Sequence, residues 1–290
     1  MELTQICYTI PILTIIRRLH LMSEYPSHTT RRRYQLIRRP RHAHAGATKN
    51  KPPKGNIIVN ILIFIGFMII TQIPTAIAGA IAAYVAFSKQ AHAAVFVVLI
   101  LLYIIVTGLM AWLITWYYRK RGYEKMKAIR LKDFGIDVLY FIGLHVWTTV
   151  CAVAATAIFH TENSANNKAL MSQIDNLTNF SNPMVVIALT IFLIDITFVA
   201  PYFEELTFRG IFKETIFKKF SFWWPMLISS AIFSLNHMPN NIIFFLLYGG
   251  MGAAFYMAYN RRSNIWDSYV VHMLNNAAAS VAIVFVLIYM

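Results

Sequence analysis

MVVIALTIFLIDITFVAPYFEELTFRG, residues 184–210, decides the fold of this 290-residue chain. Met184 to Ala200 is an apolar run, and the carboxylates of Glu204 and Glu205 and the guanidinium of Arg209 follow almost directly. Ionisable groups at membrane depth are costly and rare, and where they occur they mark functional sites. Pro201 suits the first turn of a new helix, because its missing N–H is unpaired there anyway. That start places Glu204 and Glu205 in the first turn, where the positive end of the helix dipole favours a carboxylate. Glu205 and Arg209 are four residues apart in the favourable order and can pair on one face. Helical geometry turns Glu204 about 100° away, where no local partner exists. The pattern suits a general base beside a structural ion pair; the alternative is an ion-paired, solvated helix cap.

Composition sets the class. The chain is 58% hydrophobic and only 13% charged, more apolar than ordinary soluble domains. Several runs exceed the roughly 18 apolar residues that indicate a spanning helix. The net charge of +14 belongs to segments flanking these runs, where it sets membrane orientation rather than nucleic-acid binding. Cys7 and Cys151 are the only cysteines, so neither a disulfide framework nor a cysteine zinc site can be built.

The expected fold is an all-α polytopic transmembrane helix bundle with about seven to eight membrane segments. Residues 1–55 read as a basic, disordered cytoplasmic arm and residues 56–290 as the transmembrane domain. Between Arg17 and Lys54 stand eleven Lys and Arg, which attract anionic lipid; no aromatic platform for nucleic acid accompanies them. Asn56–Phe87, kinked near Pro74, Ala91–Tyr118, Ile136–Phe159 and Met184–Ala200 are the first four spans. The helix of Glu204 and Glu205 continues to about Lys219. Phe222–His237, Ile242–Tyr259 and Ile265–Tyr289 complete the set. A cytoplasmic N-terminus puts the arm, the 119–132 loop, the 209–219 stretch and Arg261-Arg262 inside, and leaves Lys89 and Lys168 as the basic residues outside. That asymmetry supports a multi-pass protein of the cell membrane in this orientation.

Two later segments share the polarity of the first. Phe233-Ser234-Leu235-Asn236-His237 ends an apolar run with a histidine, and His272-Met273-Leu274-Asn275-Asn276 puts His272 and Asn276 on one helix face. Either histidine alone reads as a helix–helix hydrogen bond. Together with Glu204 they supply a base, a second proton carrier and neutral donors for an oxyanion.

Glu204-Glu205-x-x-x-Arg209, Phe233-x-x-x-His237 and His272-x-x-x-Asn276, in that order, resemble the CPBP family. These are CAAX-processing and bacteriocin-processing intramembrane endopeptidases, also called Abi proteins, and the match covers about 184–290. The resemblance implies hydrolysis of a peptide bond in a membrane protein or peptide substrate. It implies that Glu204 with His237 activates water, that His272 and Asn276 stabilise the oxyanion, and that Glu205, Arg209 and Phe233 support the site. No cofactor is expected. The alternative is zinc held by Glu204, His237 and His272, although the helical His-Glu-x-x-His signature is absent. Outside catalysis, a bacteriocin-immunity or partner-binding protein of the same fold and a proton-coupled transporter remain as other readings.

The remaining polar residues read as structural. Asp195, His145, Gln72 and Ser280 are packing or hydrogen-bonded groups, and Gly249, Gly250 and Gly252 permit close helix approach. One geometric tension stands. Alternation puts Glu204 near a span end and His237 about fifteen residues into the next, roughly 20 Å deep.

Overall fold

Helix forms wherever the apolar runs occur, because in lipid each backbone N–H and C=O has to be satisfied within its own segment. The computed structural model describes residues 55–88, 91–121, 126–161, 163–174, 177 and 179–289, all helix and connecting segments with no strand among them. Residues 1–54 of the 1–55 arm expected to bind lipid, Cys7 among them, and Lys89 lie outside the described residues. The helices are α1 (Ile57–Ile70), α2 (Ile73–Phe87), α3 (Ala93–Lys120), α4 (Leu131–Phe159) and the short α5 (Ala165–Ile174). A composite α6 runs over Pro183–Lys213, followed by α7 (Trp223–Asn236), α8 (Ile242–Arg262) and α9 (Ile265–Tyr289).

Six of these segments are long and apolar enough to cross a membrane: α1 with α2, α3, α4, α6, α8 and α9. The chain is a multi-pass helical membrane protein. The fifth apolar run folds into α7, which has 14 residues and so spans only about 21 Å. The expected seven to eight segments thus resolve into six long helices and this shorter traverse.

The first span bends where the sequence placed Pro74. Asn56 caps α1, its side-chain oxygen accepting from the Ile58 N–H at 2.8 Å, and the helix breaks at Thr71 and Gln72 so that Pro74 falls in the first turn of α2.

Pro201, in contrast, does not start a helix. The expected N-terminus is corrected here: α6 is continuous, and a π-helical turn over Asp195–Val199 precedes Ala200–Glu205. A proline ring crowds the carbonyl four residues earlier, here Thr197, and supplies no N–H. A widened π turn accommodates both. Glu204 and Glu205 therefore stand mid-helix rather than at a positive helix end. A second π stretch, Leu206–Lys213, closes the segment.

Polar ties gather the helix ends. At one end Asn60 donates to the Thr215 carbonyl at 3.3 Å and accepts from Arg121. Arg261 pairs there with Asp133 at 3.0 Å and Asp137 at 2.8 Å, and Arg262 with Asp133 at 2.7 Å and Asp267 at 2.5 Å. The stretches that alternation placed on one side, around 121, 133, 215 and 261, thus meet at one end of the bundle. Towards the other end the Ser164 and Tyr248 hydroxyls share a 2.7 Å bond, and the His237 ring stacks on Tyr248. Short as it is, α7 runs between these two groups.

This arrangement narrows the depth conflict. Glu204 lies nine residues inside the Lys213 end of α6, about 13 Å deep, and His237 is about 20 Å along α7. Glycine sets the spacing of α7 and α8. A Cβ on Gly252 meets the Ser230 Cα at 2.9 Å, and one on Gly250 meets the Trp147 indole nitrogen at 2.0 Å, whereas one on Gly249 meets nothing within 4 Å. Gly252→Ala is expected to lower stability by about 1–3 kcal/mol, since backbone and not a flexible side chain has to yield. Gly249→Ala is expected to be neutral or slightly stabilising. Thermal unfolding in detergent checks both.

Candidate active site

The centre of the bundle is built on Arg209. It has no solvent exposure, so its charge has to be met by the protein. Its Nε lies 3.2 Å from Glu205 Oε2, as the four-residue spacing predicts, and its Nη2 donates to the Gly252 carbonyl at 2.8 Å. Three rings surround the guanidinium, those of Phe208, Phe233 and Phe255, with centroids 5.5 to 5.7 Å from its carbon. Cation–π attraction is strongest when the cation is desolvated, as here.

Glu205, also fully buried, faces two ways. One oxygen meets Arg209, and the other lies 2.9 Å from Nδ1 of His272 on α9. A carboxylate oxygen accepts, so His272 carries a proton on Nδ1 and turns Nε2 away from Glu205. Nε2 lies 3.8 Å from Glu204 Oε2. The imidazole thus stands between the two glutamates, and Phe255 fixes its plane by stacking at 4.2 Å and 15°. Glu204 keeps 14% of its side chain exposed, and its Oε2 makes no hydrogen bond among the described residues.

His237 joins through an aromatic wall. The Phe233 ring is 4.4 Å from the His237 ring and 5.9 Å from that of His272. Nδ1 of His237 is 2.8 Å from the Phe233 carbonyl, an obligate acceptor, so that nitrogen is protonated and Nε2 in the neutral ring is an acceptor. Asn276, one turn beyond His272, donates to the Ile196 carbonyl at 2.8 Å and accepts from Asn275 at 3.1 Å. Its target belongs to the π turn, whose altered bonding pattern makes that carbonyl available.

Residues 183–278 match the model of a family described as Type II CAAX prenyl endopeptidase Rce1-like. That stretch, about a third of the chain, is similar to this endopeptidase family. Over 92 residues it is 34% identical to the Putative membrane peptidase YdiL of Bacillus subtilis (strain 168), a match covering 32% of this chain and 37% of that protein. The chain therefore spans well under half the length of this curated relative. No solved structure matches the chain significantly. All seven residues of the three CPBP motifs fall within 183–278.

The geometry redistributes the roles expected of these residues. Glu204, Glu205, Arg209, His272 and Phe233 come together directly. Glu204 meets His272, and no hydrogen bond or ion pair joins it to His237 among the described residues. The Phe233 ring contacts both imidazoles, and among the described residues no three His, Cys, Asp or Glu are grouped to hold a metal.

Two contacts had no signal in the sequence. Glu205 and His272 are 67 positions apart, and nothing in their local patterns marks them as partners. Phe255 lies in an apolar run and reads only as core. Asp195 is hydrogen-bonded as expected, accepting from the Tyr103 hydroxyl at 3.0 Å, and Ser280 packs through a 2.7 Å bond with Thr197.

The contrast between the adjacent glutamates is measurable. Arg209→Ala strands the Glu205 carboxylate in the core and is expected to cost about 3–5 kcal/mol. Glu205→Gln leaves Arg209 uncompensated and is expected to reduce abundance similarly. Glu204→Gln, on a side chain that keeps 14% exposure and has no arginine ion pair, is expected to leave membrane abundance and thermal unfolding near wild type. Quantitative blotting of membranes and melts of purified protein compare the three.

Proposed function

We propose that the chain is an intramembrane endopeptidase that hydrolyses a peptide bond in a membrane-associated protein or peptide, with Glu204 activating the attacking water. The observation that carries this reading is His272 held between Glu205 at 2.9 Å and Glu204 at 3.8 Å. One glutamate fixes the ring, and the other is left to exchange protons near its second nitrogen.

Hydrolysis requires four events. Water donates to Glu204 Oε2, attacks the carbonyl carbon, and passes its proton to the carboxylate. The carbonyl oxygen becomes an oxyanion. Donors near it then matter most, because that charge appears only in the transition state. The C–N bond finally breaks, and the proton held by Glu204 goes to the leaving amine. His272 Nε2 serves as an oxyanion donor only when the ring is an imidazolium, since Nδ1–H is already committed to Glu205. Asn276 retains a second amide hydrogen beyond the one given to Ile196. His237, with Nδ1–H on a carbonyl, presents Nε2 as an acceptor, which suits a second proton carrier beside Glu204 rather than an oxyanion donor.

The substrate class proposed is a CAAX-type or bacteriocin-type precursor, and the relative's description as a membrane peptidase supports the reaction type. A cytoplasmic N-terminus in the cell membrane is proposed from the basic flanks. The arm is assigned to anionic lipid, with no role for nucleic acid.

Purified protein in detergent with a peptide substrate tests this. Removing the base in Glu204→Gln is expected to cut turnover by about 10²–10⁴. Asn276→Ala is expected to cut it by about 10²–10³ with affinity nearly unchanged, the signature of a contact made only in the transition state. Activity is expected to survive thorough chelation. Loss to chelator with recovery on added zinc would overturn the metal-free mechanism. Undiminished biological activity of Glu204→Gln would overturn the enzyme reading in favour of an immunity or binding role.

A further inference from the structure

We propose that the Arg119 end of α3 holds the headgroup of an anionic phospholipid in a groove beside the helix that carries Glu204. This site is independent of the peptidase chemistry. The groove, about 560 Å³, is lined by Ala111, Trp112, Thr115, Trp116, Arg119 and Lys120. Trp112 and Trp116 are one turn apart and 64% and 43% exposed. Their rings stack with centroids 6.1 Å apart and planes 18° from parallel. One turn further, the Lys120 ammonium lies 4.6 Å from the centre of the Trp116 ring.

Charge and polarity identify the occupant. The lining contributes two cations and no acidic residue, so the ligand's head is anionic. Two broad indole faces lie next to them on a helix whose remaining length is apolar, so the body of the ligand is apolar. Indoles settle at the headgroup level of a bilayer. Lys and Arg just beyond that level attract anionic lipid, and a guanidinium grips a phosphodiester with two parallel N–H bonds. An acidic peptide would satisfy the cations and leave the indoles without a partner.

The groove also touches the active-site helix. Thr115, in its wall, shares a 2.7 Å hydrogen bond with the Tyr202 hydroxyl. Tyr202 stands two residues before Glu204, and its ring packs against Trp266 and Tyr269 at 6.0 Å. A lipid in the groove therefore covers a hydrogen bond that ties α3 to the turn bearing the catalytic carboxylate.

Native mass spectrometry of the full chain, with defined phosphatidylglycerol or phosphatidylcholine, tests the proposal. The wild type is expected to retain phosphatidylglycerol in preference to phosphatidylcholine. Arg119→Gln with Lys120→Gln is expected to weaken retention roughly 30-fold, from two surface cations. Arg119→Lys with Lys120→Arg is expected to stay within about threefold of wild type, because charge is kept. The arm is intact in all three proteins, so its own lipid binding cancels. These side chains are exposed, and unchanged gel-filtration profiles and melts verify folding. Phosphatidylglycerol bound equally well by the double glutamine variant, or phosphatidylcholine held as tightly as phosphatidylglycerol, would overturn the site. Displacement of the lipid by equimolar inorganic phosphate would also overturn it, showing a free-anion site instead.

Discussion

A guanidinium without solvent sits at the centre of this bundle, and most of what surrounds it follows from the need to neutralise it. Burying a charge is repaid only by close ion pairing and by hydrogen bonds to the remaining polar atoms. Arg209 has an ion pair with Glu205 and one hydrogen bond, from Nη2 to the Gly252 carbonyl, while Nε and Nη1 make no hydrogen bond among the described residues. The second contact draws α8 close to α6, and Gly252 lets α7 approach as well, where a side chain would meet Ser230. Phe208, Phe233 and Phe255 fill the space between. One ion pair thus fixes the positions of three helices. It also sets Glu205 at the distance from which it orients His272 on a fourth.

The same pair explains why adjacent glutamates can hold opposite roles. Glu205 is engaged by both Arg209 and His272, whereas Glu204 is offered only the far nitrogen of that imidazole and a share of solvent. Two equivalent carboxylates would compete for one partner. Here the helix turn between them divides support from chemistry.

Much of this was legible in sequence, and the reasons differ from element to element. Glu205 and Arg209 were paired correctly because the interaction is local and helical spacing dictates it. His272 and Asn276 were placed on one face by the same rule. Long apolar runs revealed the spans, since bilayer thickness imposes a length. Pro201 misleads, because a proline after an apolar run fits a helix start as well as it fits a π turn, and the continuity of α6 through Asp195–Val199 is what separates the two. The Glu205–His272 bond joins residues 67 positions apart, and no periodicity carries such information. Phe222–His237 counted as a full span by composition, yet its helix starts at Trp223 and stops after 14 residues. The basic side chains near 121 and 261 found partners that the sequence described only as flanking charge: Asn60 for one and the Asp133, Asp137 and Asp267 carboxylates for the other.

The central claim is that Glu205 holds the imidazole of His272 through Nδ1 and leaves Nε2 for Glu204. Nitrogen-15 NMR of histidine-labelled protein reads this directly, with the His272 signals assigned by their disappearance in His272→Gln. The account predicts that Nδ1 of His272 carries a proton in the resting protein, and that Glu205→Gln changes its resonance while Glu204→Gln leaves it nearly unmoved. A ring protonated on Nε2 alone, with Nδ1 bare and indifferent to Glu205, would contradict it.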